Sequence, residues 1–414
     1  SSALNSINSE LEEMGEIQGA GKAMILRKIT LPLVLPAILS AVILTFSKAI
    51  GTFGTINYLG SPVQYYTLSS QLYMNINSRD TQTGFAMAIL MIIIASIAVF
   101  VNQKLIGSRK SYATIGGKGG RSTLIGLGKV GRPVITAALF VFFAVGIIMP
   151  IVILVMESFM LKEGIYSLDN FTLHYWIGES NPQIMEGLPG IFKNDEFINS
   201  LFNSLRLTLV NGVFGTIFGQ LLGYITAKGR GRLHGKLVEQ LVFIPYLIPS
   251  VAFGGIYLSM FSQPQQIFGV TLVPALYGTF ALLTLVSVVK HLPFAARAGT
   301  SNMLQISGEL EEAATIEGAG FFRRFVKIVF PLSKGGFISG FMLIFVSIMK
   351  ELDLIILIMT PTTSTLPYLA FRYQNGNSPQ ASDCVAIVMF SIVFLVYAIA
   401  NLSGKADLAK SMAG

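Results

Sequence analysis

Four charged residues interrupt long apolar stretches of the sequence: Lys48, Lys350, Glu351 and Asp353. Charges in such surroundings are costly, which makes these residues candidates for a functional site. The two lysines could bind an anionic solute or a chelated metal, and Glu351 and Asp353 share the stretch that contains Lys350. Two other interpretations stay open: Lys350 pairs with Asp353 one helical turn later, or both lysines extend towards the outer interface of a membrane.

Other reactive side chains are few and dispersed. Cys384 is the single cysteine, which excludes an intramolecular disulfide and a multi-cysteine metal site within this sequence. The histidines, His174, His234 and His291, are too far apart in sequence to form a local ligand cluster. An enzyme acting inside a membrane would need a motif such as H-E-x-x-H or a Ser/His pair within helices, and His291 is the nearest candidate. We therefore predict no catalytic residue and no metal site.

The composition is that of a membrane protein. Hydrophobic residues make up 52% of the 414 residues, and charged residues make up 12%, about half the usual share in soluble domains. One globular core cannot bury so much apolar chain, so the excess is expected to face lipid. Apolar runs of roughly 20 residues predict eight spanning helices. These are residues 33–56, 84–103, 133–156, 200–227, 237–261, 272–291, 335–358 and 384–402.

Loop charges indicate the side of the membrane on which each loop lies. The linker 104–132 carries seven positive charges and no acidic residue, which places it in the cytoplasm. The loop 157–199 carries seven acidic residues and two lysines, so it is expected outside, where it either meets an extracytoplasmic binding protein or is simply solvated. Alternation then places residues 1–32 and 292–334 in the cytoplasm. Cytoplasmic loops therefore explain the net charge of +8, and we predict no nucleic-acid partner.

An internal repeat is the most specific signal in the sequence. Residues 10–32 align without gaps to residues 309–331, and 11 of the 23 aligned positions are identical. Each copy predicts a short helix, a break at a Gly-Ala-Gly step, and a second amphipathic helix that runs into the bilayer. Both copies precede a predicted span from the cytoplasmic side, which indicates a parallel duplication. Such a short helix would lie across the cytoplasmic surface and could fit a groove in a partner, or it could lie at the lipid interface.

The second copy resembles the EAA loop of permease subunits of binding-protein-dependent ABC importers. The matching residues are Glu312, Ala313, Ala314 and Gly318, followed by Ile328 and Pro331. In that family the loop is the coupling helix that docks on the ATPase subunit. In the first copy Glu13 and Gly19 match, but Met14 and Gly15 replace the two alanines. A glycine inside a helix is unfavourable, so the first coupling helix is expected to be less rigid.

The resemblance implies an all-α integral membrane protein with the type I ABC permease (MetI-like) fold. About eight transmembrane helices would form two halves duplicated in parallel, with the first half incomplete and roughly four helices preceding Ser1. The arrangement resembles fused permeases for ferric iron, thiamine, phosphonate or sugar phosphate. The implied domains are a coupling loop (1–32), the last two helices of the first half (33–103), a basic linker (104–132) and a complete second half of six helices (133–414) with its EAA loop at 301–331.

The implied function is ATP-driven import of a solute, ferric iron or a small anion, through the bacterial inner membrane. The implied partners are two ABC ATPase subunits, an extracytoplasmic solute-binding protein and the lipid bilayer. ATP and Mg would be bound by the ATPase, so this chain would hold no cofactor. The alternative is a secondary transporter driven by an ion gradient, which also uses repeated helices and buried charges but predicts no ATPase docking.

In such a permease Lys48, Lys350, Glu351 and Asp353 are candidates for the solute pathway, which the two lysines would flank. Two features of the helices are also expected. Gly215, Gly219 and Gly223 recur every four residues and predict a face of small residues that packs closely on another helix. Pro245 and Pro249 predict a kink in the following span.

Overall fold

A computed structural model describes residues 9–107, 128–304 and 306–402 of the chain. The predicted basic linker falls largely outside them, at 108–127. The helices, in chain order, are α1 (Ser9–Ile17), α2 (Lys22–Ile25), α3 (Leu31–Gly51), α4 (Gly54–Gly60), α5 (Leu68–Asn77), α6 (Thr81–Gly107), α7 (Gly128–Phe143), α8 (Met149–Glu157), α9 (His174–Ile177), α10 (Asp195–Lys228), α11 (Leu233–Leu247), α12 (Ser250–Phe261), α13 (Phe280–Met303), α14 (Glu309–Ile316), α15 (Phe321–Arg324), α16 (Phe330–Leu332), α17 (Lys334–Met349), α18 (Leu366–Asn375) and α19 (Pro379–Leu402).

Shorter elements complete the described chain. One antiparallel hairpin pairs β1 (Gln265–Ile267) with β2 (Val270–Val273). The π-helical turns are Leu26–Thr30, Ala144–Ile148 and Phe325–Val329. The 3₁₀ turns are Ser61–Val63, Leu168–Asn170, Met185–Gly187, Ile191–Lys193 and Pro361–Thr363.

Five helical segments of the described chain are long and apolar enough to cross a membrane. Four of them are single helices, namely α6, α10, α13 and α19. The fifth is the continuous segment Gly128–Glu157, which contains α7 and α8. Two bent pairs, α11 with α12 and α15–α16 with α17, would raise the number to seven if each pair is one span. The remaining predicted span, 33–56, coincides largely with α3, which ends at Gly51.

The predicted span 237–261 is two helices rather than one. Helices α11 and α12 meet at an angle of 97°. The break comes at Ile248 and Pro249, both of which have extended backbone. A proline disfavours helical backbone in the residue before it, so Pro249 causes the predicted kink. Pro245, in contrast, lies inside α11.

Two other predicted spans have different bounds in the structure. Residues 272–279, the start of one predicted helix, lie in β2 and the turn after it, and α13 begins only at Phe280. The predicted span 335–358 ends as a helix at Met349. The chain then forms turns, because the Glu351 carboxylate accepts a hydrogen bond from the Leu354 amide at 2.9 Å and replaces a helical partner. The charged residues of this stretch therefore follow α17 and are not inside a helix.

Two compact units divide the chain. The first contains residues 1–50 and 93–152, and the second contains residues 51–92 and 153–414. In the first unit, α1 packs on α2 and on the π-helical turn after it. Gly15 is buried, and a methyl group built on Gly15 would lie 3.0 Å from Cδ1 of Ile29 and 3.3 Å from Cγ1 of Ile25.

Two clusters of buried side chains form the core of the second unit. The larger joins α10, α12, α13, α17 and the turns after α17, and includes Leu207, Phe253, Leu283, Val286, Ile344 and Leu354. The other joins α9, the start of α10, α18 and α19, and includes Tyr175, Phe197, Leu369, Ala381 and Cys384.

Helix α10 presents the predicted face of small residues. A methyl group built on Gly219 would lie 2.3 Å from Cβ of Ala295, and one on Gly223 would lie 2.6 Å from the carbonyl carbon of Gly299. Both partners belong to α13. A methyl group on Gly215 would lie 2.7 Å from Cδ1 of Ile344. No side chain fits in these gaps, so the glycines allow α10 and α13 to pack almost backbone to backbone.

Candidate functional site

The two sequence repeats fold into the same backbone. We call residues 9–30 the first loop and residues 309–329 the second loop. In each loop a short helix is followed by a glycine turn, one turn of α-helix and a π-helical turn, and these last two elements coincide residue for residue at the repeat offset. The predicted helix, break and second helix are thus present in both copies.

The glycine turn is a Schellman cap in both loops. In the second loop the amide of Gly318 donates to the carbonyl of Thr315 at 3.0 Å, and the amide of Ala319 donates to that of Ala314 at 2.9 Å. In the first loop Gly19 and Ala20 make the equivalent bonds at 2.9 and 3.0 Å. This cap requires a left-handed residue, and φ is +77° at Gly318 and +85° at Gly19. The invariant glycine of the repeat is therefore explained by backbone geometry.

The short helices expose the side chains that the resemblance singles out. Glu13 and Glu312 are exposed, as are Ala313 and both turn glycines, and Ala314 is half-buried. The most exposed apolar side chains of the two helices are Ile17 and Ile316, at 84% and 85% exposure. Those two isoleucines are equivalent in the repeat, so each loop presents one apolar side chain to its surroundings at the same position.

The glutamate that precedes Glu312 was not among the predicted site residues. Glu311 is buried, with Oε1 2.6 Å from Nζ of Lys228, and its Oε2 accepts a hydrogen bond from the Tyr224 hydroxyl at 2.6 Å. Burial raises the pKa of the Glu311 carboxyl, but the hydrogen bonds from Lys228 and Tyr224 outweigh it and leave the pKa below its ordinary value. In the first loop the equivalent Glu12 accepts a hydrogen bond from the Thr30 hydroxyl at 2.6 Å. The only sequence signal was the identity of these glutamates in the two copies.

The charged pathway candidates differ in their surroundings. Lys48 is exposed in the last turn of α3, and Lys350 is exposed directly after α17. The Asp353 carboxylate accepts a hydrogen bond from the Gly54 amide at 2.9 Å, and the ion pairs of the described chain do not include Lys350 with Asp353. That pairing, one of the interpretations left open above, is absent from the structure.

Glu351 belongs to a buried polar cluster that the sequence did not predict. Its Oε2 lies 3.3 Å from Nε2 of His291, and Nδ1 of His291 lies 2.9 Å from the carbonyl oxygen of Ser287. Neighbouring Lys290 is buried and donates hydrogen bonds to the carbonyls of Pro245 and Ile248. The break between α11 and α12 frees these carbonyls, and the ammonium group satisfies them. His291 is thus engaged in packing and hydrogen bonds at a helix break.

Potential metal ligands do not converge in the described chain. No group of three or more His, Cys, Asp or Glu side chains that could hold a metal ion occurs within residues 9–107, 128–304 and 306–402.

Comparison with known proteins shows the family to which the chain belongs. The family described as "Binding-protein-dependent transport system inner membrane component" matches residues 1–112 and 215–406, and both loops lie inside the matched stretches. The chain belongs to this family of inner membrane transport components. It is accordingly a multi-pass membrane protein, as the composition predicted.

Curated relatives in this family carry different solute names. The ferric transport system permease protein FbpB of Actinobacillus pleuropneumoniae is 22% identical over 420 residues, covering 99% of this chain and 57% of the relative. The molybdate/tungstate transport system permease protein WtpB of Thermococcus kodakarensis is 28% identical over 203 residues, covering 49% of this chain and 76% of the relative. The chain spans little more than half the length of the ferric relative.

A solved structure confirms the permease fold. The bacterial alginate ABC transporter, solved in complex with an alginate pentasaccharide-bound periplasmic protein, contains a chain that matches with a TM-score of 0.51 and 16% identity. The match covers 66% of this chain and 95% of that one. The predicted type I permease fold is thereby confirmed for this family member.

Proposed function

We propose that this chain is the permease subunit of an ATP-driven importer. It forms the solute pathway and couples to two ABC ATPase subunits through its two loops. The ATPase subunits hold ATP and Mg and carry out hydrolysis, so the chain itself is not catalytic. An extracytoplasmic solute-binding protein delivers the solute, and alternating access moves it inwards.

One observation carries this proposal: two copies of the same capped helix each expose an isoleucine at the same position. A helix at the lipid interface would suffice for one copy, but two near-identical exposed helices fit two equal docking sites better. Ile17 and Ile316 supply the apolar contact, and Glu13 and Glu312 supply charge beside it. The exposed Ala313 and half-buried Ala314 leave room for a groove to close around the second helix.

The test is co-purification and ATP hydrolysis in liposomes with the ATPase subunits. We expect Ile17→Asp and Ile316→Asp to weaken ATPase binding, and the double variant to abolish it. Phe268→Asp is the matched control, because Phe268 is fully exposed at the tip of the β-hairpin and lies far from both loops in sequence. Uptake that is driven by an ion gradient without ATP, or wild-type ATPase binding by the double variant, would overturn the proposal.

We propose ferric iron or a small anion as the solute. The names of the relatives, ferric and molybdate/tungstate, support this solute class. ATPase stimulation by binding proteins loaded with ferric ion, molybdate, sulfate, thiamine or sugar phosphate would identify the solute. Stimulation only by a cationic organic solute would refute the class.

We also propose that Lys48 and Lys350 flank the route and favour a negative solute or chelate. Both ammonium-bearing side chains are exposed. Glu351 and Asp353 accept hydrogen bonds from backbone amides and support the segment after α17. Lys48→Met with Lys350→Met is expected to reduce uptake while ATPase binding persists. Unchanged uptake in the double variant would refute this role.

A further inference from the structure

One buried carboxylate joins the second loop to the C-terminal end of α10. Both oxygens of Glu311 are engaged, one by Lys228 at 2.6 Å and the other by Tyr224 at 2.6 Å. Lys228 is the last residue of α10 and Tyr224 lies one turn before it. The Glu311 side chain is only 9% exposed, so solvent screens these charge-assisted bonds weakly.

Further contacts join α15 to the end of α10 and to α14, by aromatic packing in the first case and by hydrogen bonds in the second. The Tyr224 ring packs edge-on against Phe321 and Phe325, with centroids 5.8 and 5.7 Å away. Arg324 donates a hydrogen bond to the hydroxyl of Thr315, which itself donates to the carbonyl of Glu311 at 2.7 Å. The end of α10 is therefore bound to the helices on both sides of the glycine turn.

The first loop uses the equivalent glutamate differently. Glu12 bonds to Thr30, which belongs to the same loop. Position 30 corresponds to Val329 in the second loop, which carries no hydroxyl group. Glu12 therefore forms a hydrogen bond within the first loop. Its equivalent, Glu311, instead joins the second loop to α10, which is long and apolar enough to span a membrane.

We infer that Glu311 is a positioning residue that transmits movement of the second loop to α10, with Lys228 and Tyr224 as its receiving groups. The inference rests on the proposed function, because the movement originates in an ATPase bound to that loop. Helix α10 passes the movement on, since its glycine face packs without intervening side chains against α13. A displacement of α14 would therefore shift α10 and α13 together.

The test uses the full chain with ATPase and loaded binding protein in liposomes. We expect Glu311→Gln and Lys228→Met to bind the ATPase as the wild type does, while solute transported per ATP hydrolysed falls by at least about fivefold, the lower end of typical coupling. The charge-exchanged double variant Glu311→Lys with Lys228→Glu should restore part of that ratio. A purely structural role would instead lower ATPase binding and would not respond to the exchange.

Matched controls come from α11, where Glu239→Gln and Lys236→Met change the same chemical groups at exposed positions. Tyr224→Phe removes the hydroxyl but keeps the packed ring, so it tests the link even if the charge variants fold poorly. If Tyr224→Phe and Glu311→Gln, each as a single variant, both transport as much solute per ATP hydrolysed as the wild type, the inference is overturned. Absence of ATPase binding by the wild-type chain overturns the proposed function instead, which separates the two failures.

Discussion

Replacing Gly318 by alanine tests whether backbone geometry alone fixes the turn of the second loop. An L-residue with a side chain costs roughly 1–2 kcal/mol in left-handed backbone, and Gly318 has φ +77°. A methyl group built there meets nothing within 4 Å, so no steric cost is added. The substitution should therefore act only on the Schellman cap. A cost of that size increases local opening by about 5- to 30-fold.

Hydrogen exchange at the cap measures this opening directly. The amides of Gly318 and Ala319 donate to carbonyls of α14, an eight-residue helix that is too short to be stable alone. We expect exchange in the segment 309–320 of Gly318→Ala to accelerate by the same factor, because exchange follows the local opening equilibrium. Gly318→Asn should show a smaller effect, since asparagine tolerates left-handed backbone better.

Gly320 provides the matched control. It lies two residues away, has extended backbone with φ −67°, and a methyl group built there also meets nothing within 4 Å. Gly320→Ala should leave exchange in this segment nearly unchanged. Equal acceleration in both variants, or no acceleration in Gly318→Ala, would refute the conformational explanation.

Three further perturbations follow from the packing and electrostatics. Gly219→Val should destabilise the protein by about 1–3 kcal/mol or more, because the β-carbon of the valine would lie 2.3 Å from Cβ of Ala295. Thermal unfolding in detergent should therefore show a lower midpoint. Gly335→Ala is the control and should leave the midpoint unchanged, because a methyl group at this position on α17 meets open space. Lys290→Met should cost about 1–3 kcal/mol in the same assay, since two carbonyls at the α11–α12 break lose a buried donor, and an unchanged midpoint would contradict that role. The pKa of the Glu311 carboxyl is lowered in the folded state. The ionised carboxylate therefore stabilises the protein fully above the unfolded carboxyl pKa of about 4.3, and this stabilisation is lost as the pH falls through the folded pKa. The difference in unfolding midpoint between wild type and Glu311→Gln should narrow below a pH of about 4.3, and a difference that stays constant would count against the linkage.

The repeat and the membrane character were accessible from the sequence because both depend on local chemistry. A Schellman cap needs a residue that tolerates left-handed backbone, so Gly19 and Gly318 mark the turns of the two loops wherever those loops lie in the fold. The four-residue spacing of Gly219 and its neighbours likewise marks one helix face.

Helix ends in the membrane region were harder to predict. Apolar residues continue through Ile248, and they resume at Leu354 after the charged residues that follow Met349, but the helices stop at Leu247 and at Met349. Hydropathy counts only whether a side chain prefers lipid or water. It does not register that buried Lys290 satisfies the carbonyls at one break, or that Glu351 bonds to a backbone amide at the other.

Residue order alone reveals the lipid-facing composition, the duplicated loops and the glycine that turns each of them. Which glutamate of each loop turns inward, and what it meets there, depends on how the folded chain packs. Glu311 and Glu312 are adjacent and chemically identical, yet one is buried against Lys228 and the other is exposed. Glu311 faces the end of α10, where Lys228 and Tyr224 engage its two oxygens and Tyr224 packs on Phe321 and Phe325. Lys228 and Tyr224 are far from Glu311 in the chain, so no local pattern encodes this contact.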